Sequence, residues 1–223
     1  MIFGNRIETP TVTKNLVIVN IIVYIATALG GDFMYRLFAL YYPASQYFHW
    51  WQIVTHMFMH GNFLHIFFNM YALWIFGSVV ERMIGSRKFL IFYMISGLGA
   101  AALHMGVCYL EAQNFLTQIA SGTGAAAQSY MSLKMTPTVG ASGAIYGVLI
   151  AYAMLFPQSR LTLIFPPISL KARTWVLIFV GIELLTGITG TADGVAHFAH
   201  LGGMLVGYLM ITYWKKKGTL FDR

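Results

Sequence analysis

Charged residues are scarce in this chain of 223 residues. Only 9% of the residues are Asp, Glu, Lys or Arg, and 58% are hydrophobic, whereas soluble domains average about 25% charged and about 45–50% apolar residues. This composition excludes a soluble globular domain and indicates an integral membrane protein. The length allows about six membrane-crossing helices, so we expect an all-α polytopic bundle that forms one domain over residues 1–223.

Cysteine and acidic residues are also rare. Because Cys108 is the single cysteine, neither an intrachain disulfide nor a thiolate metal cage can form, and we interpret Cys108 as a small apolar side chain. The chain has 14 Lys and Arg against seven Asp and Glu, but the basic residues recur in short clusters between apolar runs. We therefore expect a lipid bilayer around the protein and no nucleic-acid partner.

Six apolar runs predict six transmembrane helices. They lie at about 15–30, 52–78, 88–110, 139–156, 172–189 and 195–214. Six crossings place both termini on one side of the membrane. Twelve of the 14 Lys and Arg residues then fall on that side, and only Arg36 and Lys134 fall on the other. This asymmetry predicts cytoplasmic termini in a cell membrane such as the bacterial inner membrane.

Two connections are long, and both lie on the outer side. The first, about 31–51, is rich in aromatic residues, which favours a partly buried structure at the membrane interface. The second, about 111–138, is small and polar, and we expect it to be flexible and without a role in the chemistry.

Four polar residues lie in the outer half of the second predicted helix: His56, His60, His65 and Asn69. Imidazole groups in lipid are costly and need a partner or a purpose. At about 100° per residue, His56 and His60 share one face of a straight helix and His65 and Asn69 share another, rotated by about 140°. One helix is therefore predicted to serve two sites.

This rotation disfavours a metal site built from three histidines of one helix. A zinc site that joins His60 to His197 or His200 stays open as an alternative. No His-Glu-x-x-His pattern supplies a general base, however. We therefore expect no metal.

A serine and a histidine lie at matching depths in the fourth and sixth predicted helices. Gly143 and Gly147 follow Ser142 and form a small-residue face, on which another helix can approach closely. His200 shares a face of the sixth helix with the glycines three and seven residues farther along. Contact between the two faces predicts a hydrogen bond between Ser142 and His200.

A serine hydroxyl becomes a strong nucleophile when a neutral imidazole takes its proton. This pair therefore indicates proteolysis within the membrane. Neither Asp193, in the loop before the sixth helix, nor Glu183, in the fifth helix, has a spacing that forces contact with His200. We interpret Glu183 as a hydrogen-bonded packing residue and favour a Ser–His dyad, in which Tyr146 packs against the imidazole and orients it.

Three motifs occur in a fixed order along the chain. They are His-x3-His-x4-His-x3-Asn in the second helix, Gly-x-Ser-Gly from Gly140 in the fourth, and Ala-His-x2-Gly-x3-Gly in the sixth. Together they resemble the rhomboid family of intramembrane serine proteases, and the resemblance covers the six-helix core. The family spacing selects His200 over His197, because only His200 is followed by glycine both three and seven residues later.

The resemblance implies roles for individual residues. Ser142 would be the nucleophile, and His200 the general base and then the general acid. The backbone N–H of Ser142 and the side chains of His65 and Asn69 would stabilise the oxyanion. The resemblance implies no cofactor.

The resemblance also implies a substrate class. Single-span membrane proteins would be cleaved through an acyl-enzyme near the outer membrane edge. Their helices would enter between the second and fifth helices, where Phe68 is a candidate gate residue. His56 and His60 would support the site by hydrogen-bonding the first loop and keeping water paths open.

The chain departs from the family pattern just before the second helix. Many members carry Trp-Arg there, whereas this chain has Trp51-Gln52, so a role for arginine in fixing the first loop is in doubt. Glu81-Arg82 does resemble the family's acidic and basic pair at the cytoplasmic end.

Two other functions were weighed. A non-catalytic rhomboid-like protein that binds membrane helices is disfavoured by the intact Ser142 and His200. A small transporter with a histidine proton relay would need polar residues along the inner half as well, and the second, fourth and sixth helices have almost none there.

Overall fold

A computed structural model describes residues 8–162, 167–189 and 196–222, and the fold in these ranges is mostly helical. The helices are α1 Thr11–Gly30, α2 Asp32–Phe38, α3 Gln52–Thr55, α4 Phe63–Ala72, α5 Ser78–Ile84, α6 Ser86–Ala120, α7 Gly124–Met135, α8 Ser142–Leu155, α9 Ala172–Thr189 and α10 His197–Lys216. Two short strands, β1 Arg160–Thr162 and β2 Ser169–Lys171, pair antiparallel before α9. The helices confirm the all-α class, to which this small β pair is an addition.

Several helices are long and apolar enough to cross a membrane. Four qualify by length and composition within the described ranges, namely α1, the segment Phe63–Ile84, α6 and α9. α8 is apolar but has only 14 residues, and α10 has 20 residues and ends in Lys215 and Lys216. A polytopic membrane protein is thus confirmed, and the count of six crossings stays a prediction.

The second predicted helix, 52–78, is interrupted, and this corrects the prediction of one straight helix. After α3 and a short 3-10 turn, Met59 is extended, with φ −87° and ψ 149°. α4 then begins with Asn62 as its N-cap, whose side chain accepts a hydrogen bond of 2.8 Å from the backbone N–H of His65. Asparagine is favoured at this position because it satisfies a free N–H group of the first helical turn.

The interruption changes where the four polar residues lie. His56 is in the 3-10 turn and His60 in the extended segment, so the prediction that they share a helical face is wrong. His65 and Asn69 both lie in α4, one turn apart, as predicted. Beyond α4, a π-helical turn at Leu73–Gly77 leads into α5.

The segment 111–138 is mostly helical, which corrects the expected flexible loop. α6 runs for 35 residues to Ala120, past its predicted end at about 110, and the 12-residue α7 packs against it. Alanine is the strongest helix former, and Ala125, Ala126 and Ala127 lie in the first turn of α7. α6 and α7 therefore form a helical hairpin.

The backbones of α8 and α10 are in direct contact. A Cβ atom on Gly203 would lie 1.8 Å from the carbonyl oxygen of Gly143, and one on Gly207 would lie 2.9 Å from the Cα of Gly147. Helices approach this closely only where both faces lack side chains. The two small-residue faces that the sequence predicted therefore meet.

Gln52 fixes the aromatic-rich loop that precedes it. Its buried side chain donates from Nε2 to the carbonyl oxygens of Arg36 at 2.9 Å and Tyr47 at 2.8 Å. Its Oε1 accepts from the backbone N–H groups of His49 at 3.1 Å and Tyr41 at 3.4 Å. One amide thus satisfies four backbone groups of the loop, at the position where the family pattern has arginine.

Glu81 connects α5 to the first turn of α1. Its buried carboxylate accepts hydrogen bonds from the backbone N–H groups of Val12 at 3.0 Å and Thr13 at 2.7 Å, and from the Thr13 hydroxyl at 2.8 Å. Free N–H groups and the positive end of the helix dipole favour a carboxylate there. This contact holds α1 against α5.

Candidate active site

Ser142 is the first residue of α8, and the turn before it requires glycine. Gly140 has a φ of +135°, which side-chain-bearing residues rarely adopt. Its N–H donates to the carbonyl oxygen of His56 at 2.9 Å. A Cβ atom on Gly140 would also lie 3.0 Å from the imidazole of His65. Gly140 therefore sets the start of α8 and leaves room for His65.

Ser142 and His200 are in hydrogen-bonding contact. The distance between Ser142 Oγ and His200 Nε2 is 2.8 Å. His200 lies in the first turn of α10 and is buried. The α8–α10 backbone contact joins Gly143, the residue after Ser142, to Gly203, about one turn after His200. The close packing of glycine on glycine brings the hydroxyl and the imidazole together, which is the contact that the glycine spacing predicts.

Tyr146 stacks on the imidazole of His200. The ring centroids are 4.2 Å apart and the ring planes differ by 12°. Tyr146 follows Ser142 by one turn of α8, so the same helix presents the hydroxyl and the ring against which the imidazole lies. This contact fixes the plane of the imidazole.

Glu183 also contacts His200, which sequence reasoning did not predict. One carboxylate oxygen, Oε1, lies 2.9 Å from Nδ1 of His200 and accepts a hydrogen bond of 2.7 Å from the Tyr146 hydroxyl. The other, Oε2, lies 2.7 Å from Nδ1 of His197. The sequence did carry a signal for this contact, because Glu183 is an acid within an apolar helix. Asp193, the other acid considered, lies outside the described residues.

His65 and Asn69 lie on α4, one turn apart. Both line the cavity that also reaches Ser142 and His200. Asn69 is buried, and its Nδ2 has no hydrogen-bond partner within the described part of the chain. A buried amide group without a partner is costly and uncommon. This donor is therefore available to a group that enters the cavity.

His56 and His60 line the inner side of the interrupted segment. The imidazole of His56 bonds through Nδ1 to the carbonyl oxygen of Gln52 at 2.8 Å. His60 packs edge-on against His65, with ring centroids 5.0 Å apart, and its ring nitrogens have no partner among the described residues. The contact to the first loop runs through the carbonyl oxygen of His60, which accepts from the Tyr35 hydroxyl at 3.2 Å.

The cavity at Ser142 has a volume of about 1300 Å³. Its lining includes Phe68 of α4, Met105 of α6, Ser132 of α7 and Phe179 of α9. Tyr42 also lines the cavity, and burial raises the pKa of its hydroxyl. The segment 111–138, expected to have no role in the chemistry, thus contributes Ser132 to the cavity wall.

Three side chains near Ser142 carry donor atoms close enough together to bind a metal ion. The donor atoms of Glu183, His197 and His200 lie within 4.8 Å of one another. These atoms hydrogen-bond with each other, so an ion would have to take Nδ1 of His200 from the carboxylate. His60, considered for a zinc site with His197 or His200, is not part of this group. The expectation of no metal stays a prediction.

Known proteins resemble most of this chain. Residues 47–217 match the family model of the Rhomboid domain. The chain is 32% identical over 163 residues to the Rhomboid protease AarA of Providencia stuartii, which covers 72% of this chain and 54% of that protein. It is 29% identical over 169 residues to the mitochondrial Presenilin-associated rhomboid-like protein of Bos taurus, and this match covers 73% of this chain and 39% of that protein. For the mitochondrial Rhomboid protein 1 of Saccharomyces cerevisiae the identity is 29% over 171 residues, covering 74% and 42%.

These matches extend over the whole site. The chain spans between about two fifths and about half of the length of these three relatives. The family model, however, includes every residue from His56 to His200 and most of the chain. The single domain over residues 1–223 stays a prediction. The chain belongs to the rhomboid family.

Proposed function

We propose that this chain is an intramembrane serine endopeptidase that cleaves single-span transmembrane proteins near the outer face of the membrane. The observation that carries the proposal is the 2.8 Å contact between Ser142 Oγ and His200 Nε2 at the wall of a large cavity. A relative named as a protease, 32% identical to this chain, supports the same activity.

In the proposed reaction, Ser142 Oγ attacks the carbonyl carbon of the scissile peptide bond. The hydroxyl proton moves to Nε2 of His200 as the bond from oxygen to carbon forms. His200 then gives this proton to the amine nitrogen as the C–N bond breaks. A water molecule, deprotonated by His200, then attacks the acyl carbon. The bond from this carbon to Ser142 Oγ breaks, and His200 returns the proton to that oxygen. This is a Ser–His dyad mechanism with a covalent intermediate.

The charge on the carbonyl oxygen needs donors that are already in place. The backbone N–H of Ser142 is suited to this role because it belongs to the first turn of α8, where N–H groups have no partner within the helix. Asn69 offers its unpaired Nδ2, and His65 lies beside Gly140 at the same cavity wall. Gly140 supports this arrangement by leaving space for His65.

The substrate helix enters between α4 and α9. Phe68 is 62% exposed and lines the same cavity as Phe179, so its ring lies where a helix would have to pass. We assign Phe68 as the gate residue on this ground. His56 and His60 are supporting residues that give the inner side of the site polar groups for water.

The proposed location is a cell membrane, with both ends of this chain in the cytoplasm, and the distribution of Lys and Arg supports this orientation. A cysteine placed at Thr123, in the turn between α6 and α7, tests it in intact cells. We expect labelling by a membrane-impermeant thiol reagent. Labelling that required cell lysis would contradict the orientation.

The direct test of the function uses the purified chain in liposomes with a single-span substrate. Ser142→Ala is expected to abolish cleavage, and Ser121→Ala, which changes an exposed serine in the turn after α6, is expected to leave it unchanged. A metal chelator should have no effect. Cleavage by Ser142→Ala would contradict the serine mechanism, and loss of wild-type cleavage on chelation would favour a metal.

A further inference from the structure

Glu183 is a buried carboxylate on a helix that is otherwise largely exposed. Glu183 is only 5% exposed, whereas its neighbours Ile182, Leu184 and Leu185 are 50%, 44% and 65% exposed. A carboxylate at this depth is costly unless hydrogen bonds compensate for the lost water. Tyr146, His197 and His200 each form a hydrogen bond with this carboxylate. Its three partners therefore lie at or beside the proposed Ser142–His200 pair.

These contacts fix which nitrogen of His200 carries the proton. An ionised carboxylate only accepts hydrogen bonds, so Nδ1 of His200 must donate to Glu183 over their 2.9 Å contact. The other nitrogen, Nε2, then has a free lone pair, and it faces Ser142 Oγ. A general base needs this tautomer in order to take the serine proton.

We propose that Glu183 is a positioning residue for the reaction of Ser142 and His200. It holds His200 in the tautomer with the proton on Nδ1, and it stabilises the imidazolium that forms when Nε2 takes the proton from Ser142 Oγ. Glu183 itself stays ionised and transfers no proton. The inference rests on the proposed proteolytic function and extends the Ser–His dyad to a Ser–His–Glu arrangement.

The remaining partners of Glu183 strengthen this role. Tyr146 donates to the same carboxylate oxygen that faces His200 and also stacks on the imidazole, so it fixes carboxylate and ring together. His197 bonds to the other oxygen, and its ring centroid is 6.5 Å from that of His200. His197 is therefore placed to orient the carboxylate, whereas His200 contacts Ser142.

The test compares Glu183→Gln and Glu183→Asp with the unchanged chain in liposomes. Glutamine keeps the size of the side chain and an oxygen acceptor but removes the charge and allows the wrong tautomer. We expect Glu183→Gln to lower kcat by about 10³- to 10⁴-fold, as loss of the carboxylate does in other serine proteases, with little change in KM. Aspartate should restore part of the activity.

Three controls separate positioning from folding and from metal binding. Thermal unfolding of Glu183→Gln should match that of the unchanged chain. Asp32→Asn, the same chemical change at an exposed site in α2, should leave kcat unaltered. A kcat of Glu183→Gln within about threefold of wild type, while Ser142→Ala stays inactive, would overturn this inference and leave the proposed function standing. Chelator-sensitive activity of the unchanged chain would also overturn it, in favour of a metal on the same three residues.

Discussion

The two walls of the proposed active site hold their polar groups in different ways. On the wall formed by α8, α9 and α10, the hydroxyl of Ser142, both nitrogens of His200 and the carboxylate of Glu183 are all hydrogen-bonded. On the wall formed by α4, Nδ2 of Asn69 has no partner in the described ranges, and the ring nitrogens of His60, buried before α4, have none there either. The first wall is arranged before a substrate arrives, whereas the second keeps donors free for a substrate oxygen or for water.

The packing behind the two walls differs as well. α8 and α10 touch through their backbones at Gly143 and Gly203, so neither helix can rotate without a clash. α4 starts anew after an interruption and exposes large aromatic side chains, among them Phe67 at 50% and Phe68 at 62%. A rigid base on one side and an accessible face on the other suit the proposed cleavage of a substrate that arrives through the lipid.

The largest effect is expected from breaking the glycine contact behind the first wall. In Gly203→Ala the new Cβ atom would lie 1.8 Å from the carbonyl oxygen of Gly143, so α10 must move away from α8. Overpacking of this kind costs about 1–3 kcal/mol, and the displacement separates His200 from Ser142. We expect substrate cleavage to be lost and the unfolding temperature in detergent to fall.

The matched control is Gly106→Ala in α6, where an added Cβ atom lies farther than 4 Å from every described residue outside the adjoining turns of its own helix. Alanine is favoured over glycine inside a helix by about 0.5–1 kcal/mol, so this variant should be active and at least as stable as wild type. Equal behaviour of the two alanine variants would contradict the close contact of α8 and α10.

An intermediate effect is expected from the second wall. Asn69→Ala removes a donor that no described residue uses, and the loss of one oxyanion donor typically lowers kcat by about 10²- to 10³-fold. The unfolding temperature should change little, because no hydrogen bond made by Nδ2 is lost. Asn114→Ala, at an exposed position in α6, is the control. Full activity of Asn69→Ala would remove Asn69 from the proposed oxyanion site.

The smallest effect on cleavage is expected from Gln52→Ala, which lies outside both walls. It leaves the loop groups that Gln52 satisfies, including the carbonyl oxygens of Arg36 and Tyr47, without partners. Each buried polar group left unpaired costs about 1–3 kcal/mol. We expect a clear drop in the unfolding temperature with only a modest loss of kcat, measured beside exposed Gln113→Ala in α6. An unchanged unfolding temperature would show that the loop does not depend on Gln52.

The sequence was most informative where backbone contact leaves a single arrangement. Glycines repeat on one face of α8 and on one face of α10, which predicts that these two faces meet. The contact between Ser142 and His200 follows from that packing. The bounds of α1, α8, α9 and α10 lie within four residues of the predicted ones because each helix is one continuous apolar run.

The sequence was least informative where contacts between helices determine the local structure. The rotation of α9 about its own axis places Glu183 against His200. An acid within an otherwise apolar helix indicates a buried partner, but the apolar residues around it do not show which helix supplies that partner. The interruption before α4 did have a signal, since Gly61-Asn62 is a turn dipeptide with a helix-capping residue. The helical form of α7 was missed because its small residues were interpreted as a flexible loop although alanine favours helix.

The most direct test of the central claim is to locate the adduct that a fluorophosphonate probe forms with the solubilised protein. Such probes phosphonylate a serine whose proton is taken by a neighbouring base, and mass spectrometry of the digested protein identifies the modified residue. The contact between Ser142 and His200 predicts a single adduct on Ser142 that is lost in His200→Ala. An adduct on another serine, or unreduced labelling of Ser142 in His200→Ala, would contradict the account.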